Sequence, residues 1–233
     1  MSVKEYFHEV IDKGGAKIKL LGDSITHGVG GTGFKQDGEH IVSKFNRNPN
    51  GYCWAKLFKE LMEEKYGATV TNNACTGTII EFIILHFNEL VSEEDDLVIC
   101  TIGTNNRHQY MNTGEKKSRE EMLDSFRDKI RKLHGLFKEA GKRVIFVANI
   151  PASAKNEEDG ADYWRILHMN DIRDSYKAEK EALGFELISL YDLMTDYCND
   201  NGASLDSLLK DGLHPNDEGY DVMFGLIKKE LGI

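Results

Sequence analysis

Ser24, Asp211 and His214 are the residues of this chain whose types and spacing could do chemistry. A serine hydroxyl is a poor nucleophile at neutral pH and needs a base within hydrogen-bond reach. A histidine can take its proton, and a carboxylate can fix the imidazole tautomer and stabilise the cation that forms. Ser24 follows the apolar pair Leu20-Leu21 and the turn Gly22-Asp23, which suits a nucleophile presented at a strand end. Asp211 and His214 share the segment Asp211-Gly212-Leu213-His214-Pro215, close enough for the carboxylate to hold the ring. Singly, each has a plain structural reading: a helix cap for Ser24, a loop turn for the other two. Jointly they supply nucleophile, base and orienter, the roles that acyl transfer requires.

Positioning such groups is the task of the surrounding elements. Five segments read as buried parallel strands by length and β-branched content, at 17–21, 69–73, 97–102, 143–150 and 186–190. Helical periodicity occupies 52–65, 118–140, 168–183 and 216–231. Strand alternating with helix predicts a parallel sheet covered on both faces, a three-layer α/β/α sandwich. No internal repeat or low-complexity linker divides the chain, so one domain over residues 1–233 is expected. The ligand site of such a sheet lies outside the carboxyl ends of the strands. Ser24, Gly77 and Asn105 each fall shortly after a predicted strand, and His214 arrives from a late loop.

Four short segments carry a family resemblance. Gly22-Asp23-Ser24-Ile25 resembles the first sequence block of the SGNH, or GDSL, hydrolase family. Asn72-Asn73-Ala74-Cys75-Thr76-Gly77 is similar to the second block, with Gly77 at the glycine position. Gly103-Thr104-Asn105-Asn106 resembles the third, with Asn105 at the asparagine position, and Asp211-Gly212-Leu213-His214-Pro215 the fifth. Ile25 stands where the family usually has Leu, and Asn106 where it often has Asp. The resemblance implies a flavodoxin-like SGNH hydrolase fold and a triad of Ser24, His214 and Asp211. It implies an oxyanion hole of the Ser24 and Gly77 backbone N–H groups and the Asn105 amide. Asp23 and Asn106, adjacent to these, are expected to contact substrate. The implied reaction is hydrolysis of a carboxylic ester through an acyl-enzyme, without a cofactor or metal. The family acts on lipids, short esters, acetylated sugars and thioesters, so the match alone does not choose the substrate.

Composition narrows the choice. A formal net charge of −10, with 40% hydrophobic and 29% charged residues, argues against nucleic acid or anionic membranes as main partners. The first residues lack the apolar stretch of a secretory signal, and the longest apolar runs are far short of a membrane span. Four scattered cysteines form no C-x-x-C pair. A cytoplasmic enzyme with reduced thiols is therefore expected, with no membrane insertion, and secretion is the alternative if a signal has been removed. The acidic character and the lack of an apolar lid helix favour short-chain acyl or acetyl esters, carbohydrate-linked ones included.

Other readings compete. Gly28-Val29-Gly30-Gly31-Thr32-Gly33 fits G-x-G-x-x-G by letter. A dinucleotide fingerprint should follow a strand directly and open a helix, whereas Gly33 leads into a polar, irregular stretch. Residues 28–50 read better as a long flexible loop, a candidate lid. Asp23, His27, Asp211 and His214 could gather around a divalent ion in a metal-dependent hydrolase, but Ser24 would then have no role. A catalytically silent binding module on the same fold is a further alternative. Arg107 and His108 are candidates for substrate contact or a solvated loop; Tyr163 and Trp164 for a pocket rim or helix packing.

Overall fold

The computed structural model of the chain describes residues 1–35, 51–109, 115–158 and 164–233. Five strands form its centre: β1 Lys17–Gly22, β2 Thr69–Asn72, β3 Leu97–Thr101, β4 Arg143–Ala148 and β5 Glu186–Ser189. Their order in the sheet is β2-β1-β3-β4-β5, and every neighbouring pair is parallel. The chain leaves β1 towards β2, then crosses to the other side of β1 to make β3. The connections after β1 and β3 thus diverge, and a crevice opens at their carboxyl ends.

Side chains alternate across the sheet. Ile18, Leu20, Leu97, Ile99, Ile145 and Val147 pack on one face against Trp54, Phe58, Met62, Tyr220, Met223 and Ile227. Those partners come from the helices Trp54–Tyr66 and Asp217–Leu231. The opposite face carries Leu21, Val98, Cys100, Val144 and Phe146 against Phe126, Ile130, Leu133, Phe137, Ile172 and Tyr176. The helices here are Arg119–Glu139 and Met169–Leu183. Ser118 starts the first of them with a capping box, its hydroxyl accepting from the Glu121 N–H while Glu121 reaches back.

The sequence left Val3–Ile11 without an assignment, yet it is a helix. Val3, Phe7, Val10 and Ile11 lie on its buried face, and Ser2 and Glu5 form its capping box. Leu190–Asn201 is a second such helix. Strand β4 ends at Ala148, short of the expected strand 143–150, and Asn149 just after it donates its side-chain amide to Asp23 and Thr104. Among the described residues, no helix is long and apolar enough to cross a membrane.

Candidate active site

Strand β1 ends in a tight turn into the short helix Ser24–His27. Asp23 caps it, its Oδ1 accepting the Ile25 N–H at 3.0 Å. The Tyr220 hydroxyl, carried by the C-terminal helix, lies 3.0 Å from the Ile25 carbonyl and 2.7 Å from the Val29 carbonyl. A strand, a cap and a distant helix therefore fix where Ser24 sits, and Ser24 itself is only 3% exposed.

The loop after Leu208 brings the other two groups. The Leu209–Pro215 bridge closes its base, and the Lys210 N–H donates to the His214 carbonyl at 2.7 Å. Asp211 Oδ1 accepts the N–H groups of Leu213 and His214, at 3.1 and 2.8 Å. Its other oxygen, Oδ2, is 2.8 Å from His214 Nδ1. His214 Nε2 is in turn 2.8 Å from Ser24 Oγ. Burial would raise the Asp211 carboxyl, but the hydrogen bonds from the His214 backbone and ring, the imidazole charge and the Leu213 N–H outweigh it. The group is held below its ordinary value and stays ionised at neutral pH. A carboxylate can only accept, so Nδ1 carries the proton and Nε2 is left to accept from the serine hydroxyl.

Facing Ser24 is the turn after β2. Asn72 ties it down, donating to the Thr26 carbonyl at 3.0 Å and accepting the Ala74 N–H at 2.9 Å. Gly77 lies in this turn at φ +81°, a conformation that side chains disfavour, while a Cβ would meet nothing within 4 Å. The glycine is needed there for its dihedral and not for room. Asn105 follows β3 in a 3₁₀ turn, and its Nδ2 donates to the Thr78 carbonyl at 2.9 Å. That bond links the Asn105 turn to the Gly77 turn. An amide nitrogen has two hydrogens, so one remains for another acceptor.

Ser24, Gly77, Asn105, Asp211 and His214 thus converge at one sheet edge. Two residues expected to touch substrate lie instead in the supporting frame. Asp23 is fully buried, and its Oδ2 accepts from Asn149 Nδ2 at 3.2 Å. Burial pushes its carboxyl above the ordinary value, against the pull of Thr104, the Ile25 N–H and the charges of His214 and Arg107. Asn106 is 5% exposed; its oxygen accepts the Ile80 N–H at 3.0 Å and its nitrogen donates to Glu81 at 2.7 Å, starting the helix Ile80–Leu85. Arg107 is buried as well, with Nε donating to the Thr104 carbonyl at 3.0 Å and Nη1 paired with Glu157. Asn149 and Tyr220 hold the nucleophile turn without having stood out in the sequence. The one signal for Asn149 was a lone amide between apolar neighbours near the carboxyl end of the expected strand 143–150.

A metal-centred arrangement fares differently. His27 Nδ1 lies 3.3 Å from the Thr76 N–H, which donates to it, and the Asp23 oxygens face Ile25 and Asn149. Among the described residues, no group of three or more His, Cys, Asp or Glu side chains is placed to hold a metal ion.

The glycine run 28–33 has a packing role. Gly30 sits at φ +98°, and a Cβ there would lie 2.2 Å from the Pro215 carbonyl oxygen and 3.2 Å from His214 Cβ. The first residues of the expected loop 28–50 are thus seated against the His214 loop, while 36–50 lie outside the described residues, as does Tyr163. Gly30→Ala is expected to destabilise the fold by about 1–3 kcal/mol, as overpacking does. It should also lower kcat by at least about tenfold, since small displacements of a catalytic group are costly. A thermal melt and kcat on one ester check both. An unchanged kcat would mean that the contact does not set the His214 position.

Comparison with known proteins agrees with this architecture. The family model described as GDSL-like lipase/acylhydrolase matches residues 20–222. No curated protein matches the chain significantly. Among solved structures, Axe2, an acetylxylan esterase from Geobacillus stearothermophilus, is similar at 21% identity and a TM-score of 0.69, over 94% of this chain and 95% of its own. LAE5, an alpha/beta hydrolase enzyme from the metagenome of Lake Arreo, is 20% identical with a TM-score of 0.71, over 94% and 96%. A protein described as a GDSL-like lipase from Parabacteroides merdae is 16% identical with a TM-score of 0.70, over 93% and 95%. At these identities the likeness shows the fold.

Proposed function

Because the chain belongs to the GDSL-like lipase/acylhydrolase family, whose members hydrolyse acyl esters, we propose that it is a serine esterase acting on short-chain acyl or acetyl esters. Small molecules and acetylated carbohydrates are its substrate class. The observation that carries the reading is the unbroken row from Asp211 through His214 to Ser24, with 2.8 Å at each link. His214 Nε2 takes the hydroxyl proton as Ser24 Oγ attacks the ester carbonyl, and the Asp211 carboxylate stabilises the imidazolium. The oxyanion accepts from the Ser24 and Gly77 N–H groups and from the free Asn105 hydrogen. Neither backbone N–H has a hydrogen-bond acceptor among the described residues. The imidazolium then protonates the leaving alkoxide, and an acyl-serine remains. Water enters, gives a proton to His214, and attacks the acyl carbon. Collapse of the second intermediate returns that proton to Ser24 Oγ and frees the acid.

The acetyl preference draws support from the acetylxylan esterase named above and from the mostly polar residues that line the cavity beside the Asp211–His214 loop. Long acyl chains would need a continuous apolar groove, which gains about 0.8 kcal/mol per buried methylene. Activity on p-nitrophenyl esters is expected to peak between acetate and butyrate and to fall steeply by octanoate. A fluorophosphonate probe should label Ser24 and abolish hydrolysis in proportion. An enzyme that turns over esters yet resists the probe would point to the metal-dependent alternative, and an optimum at decanoate would refute the short-chain preference.

A further inference from the structure

A cavity of about 600 Å³ opens directly beside the Asp211–His214 loop, lined in part by Asp211, Gly212 and Leu213. Its charge runs against that of the molecule. The chain as a whole carries −10, yet Arg107, Lys155, Arg165 and Lys210 all line this one cavity, against Asp206 and Asp211. One of these charges is already matched, Arg107 by Glu157, whereas the Asp211 carboxylate accepts from a neutral His214 ring and keeps its charge. Lys155 and Lys210 are exposed and have no ion-pair or hydrogen-bond partner for their ammonium groups among the described residues. The Arg165 guanidinium donates to the backbone carbonyl of Glu158, which leaves its charge unmatched. Among the described residues, three unmatched cations therefore face two carboxylates, those of Asp206 and Asp211, in a concave wall. Concavity focuses field lines and raises the local concentration of an opposite charge.

Such an excess is unexpected in an acidic protein unless something anionic enters there. The cavity shares its wall with the loop that carries His214, so a molecule seated in it would reach the reacting ester. From the excess cations and this adjacency we infer that the cavity is a subsite for an anionic group, a carboxylate or a phosphate, borne by the ester substrate. The inference rests on the serine esterase reading and sharpens it: the substrate is an acidic ester, and Lys155, Arg165 and Lys210 select it.

The test compares phenyl acetate with three charged relatives. Phenyl hemisuccinate carries the carboxylate on the acyl side. 4-Acetoxybenzoate carries it on the alcohol side, and 4-acetoxyphenyl phosphate carries a phosphate there. At least one should exceed phenyl acetate in kcat/KM by about tenfold at low salt, and the advantage should shrink as salt screens it. The double variant Lys155→Gln/Lys210→Gln should remove that advantage and leave phenyl acetate turnover unchanged. Titration of inorganic phosphate into the wild-type protein gives a readout independent of turnover: heat in the millimolar range, lost in the double variant. If phenyl acetate is cleaved but no charged ester is favoured and phosphate does not bind, the subsite is refuted and the esterase reading stands. If phosphate binds through the two lysines while no ester is cleaved, the esterase reading falls and the anion site remains. Equal losses on neutral and charged esters in the double variant would also overturn the assignment.

Discussion

Ser24→Ala is expected to lower kcat by on the order of 10³-fold or more, with little change in KM. His214→Ala should do the same, and the double variant should add little. The reason is that the two side chains act in one step: Ser24 Oγ is 2.8 Å from His214 Nε2, and either group alone has no partner for the proton transfer. The fold should tolerate the serine change. The Ser24 backbone is held by the Asp23 cap and by the N–H groups of Gly28 and Val29, which donate to its carbonyl, and none of these needs the hydroxyl. A thermal melt should therefore hardly move while turnover of phenyl acetate collapses. Residual activity near the wild-type level in Ser24→Ala would end the acyl-serine mechanism. Loss of activity in EDTA, restored by zinc, would replace it with the metal-dependent one.

How far this site could be read from sequence differs from residue to residue. The five strands were legible because buried parallel strands are short apolar runs between helical stretches, and β3 is buried along its whole length. The edge of the sheet that gathers Ser24, Gly77 and Asn105 followed from that alternation alone. The orientation of a side chain after a strand did not. Asp23 and Ser24 are neighbours, yet the cap geometry turns the carboxylate inward to Ile25 and Asn149 and leaves the hydroxyl to His214. Asn105 and Asn106 divide in the same way, because the 3₁₀ turn sends the second amide to the start of the Ile80–Leu85 helix. Sequence spacing cannot separate such pairs when both members are polar. Gly30 shows a different limit. It lies in a turn at the start of the expected loop, but its contact with the His214–Pro215 segment, far away in sequence, left no signal. Tyr220 shows the same limit, since an aromatic residue on an amphipathic helix gives no hint that its hydroxyl reaches the nucleophile turn.

Asn105→Ala should cut kcat by roughly 10²–10³-fold and leave KM nearly unchanged, the signature of an interaction made in the transition state only. The Asn105 amide is preorganised for that role. One of its hydrogens is committed to the Thr78 carbonyl at 2.9 Å, so the nitrogen cannot swing away and the second hydrogen keeps its direction. The same bond braces the turn that carries Gly77, whose N–H is the neighbouring donor in the proposed oxyanion hole. The variant would thus weaken two donors, one by deletion and one by loosening. These contributions separate by experiment. Loosening alone should be reproduced by Thr78→Gly, which removes the hydroxyl's bond to the Cys75 carbonyl and frees the turn backbone while keeping the Asn105 donor. If Thr78→Gly costs far less than Asn105→Ala, deletion of the donor dominates. A raised KM at full kcat in Asn105→Ala would instead make this residue a ground-state contact, and the oxyanion would then have to rely on the Ser24 and Gly77 backbone alone.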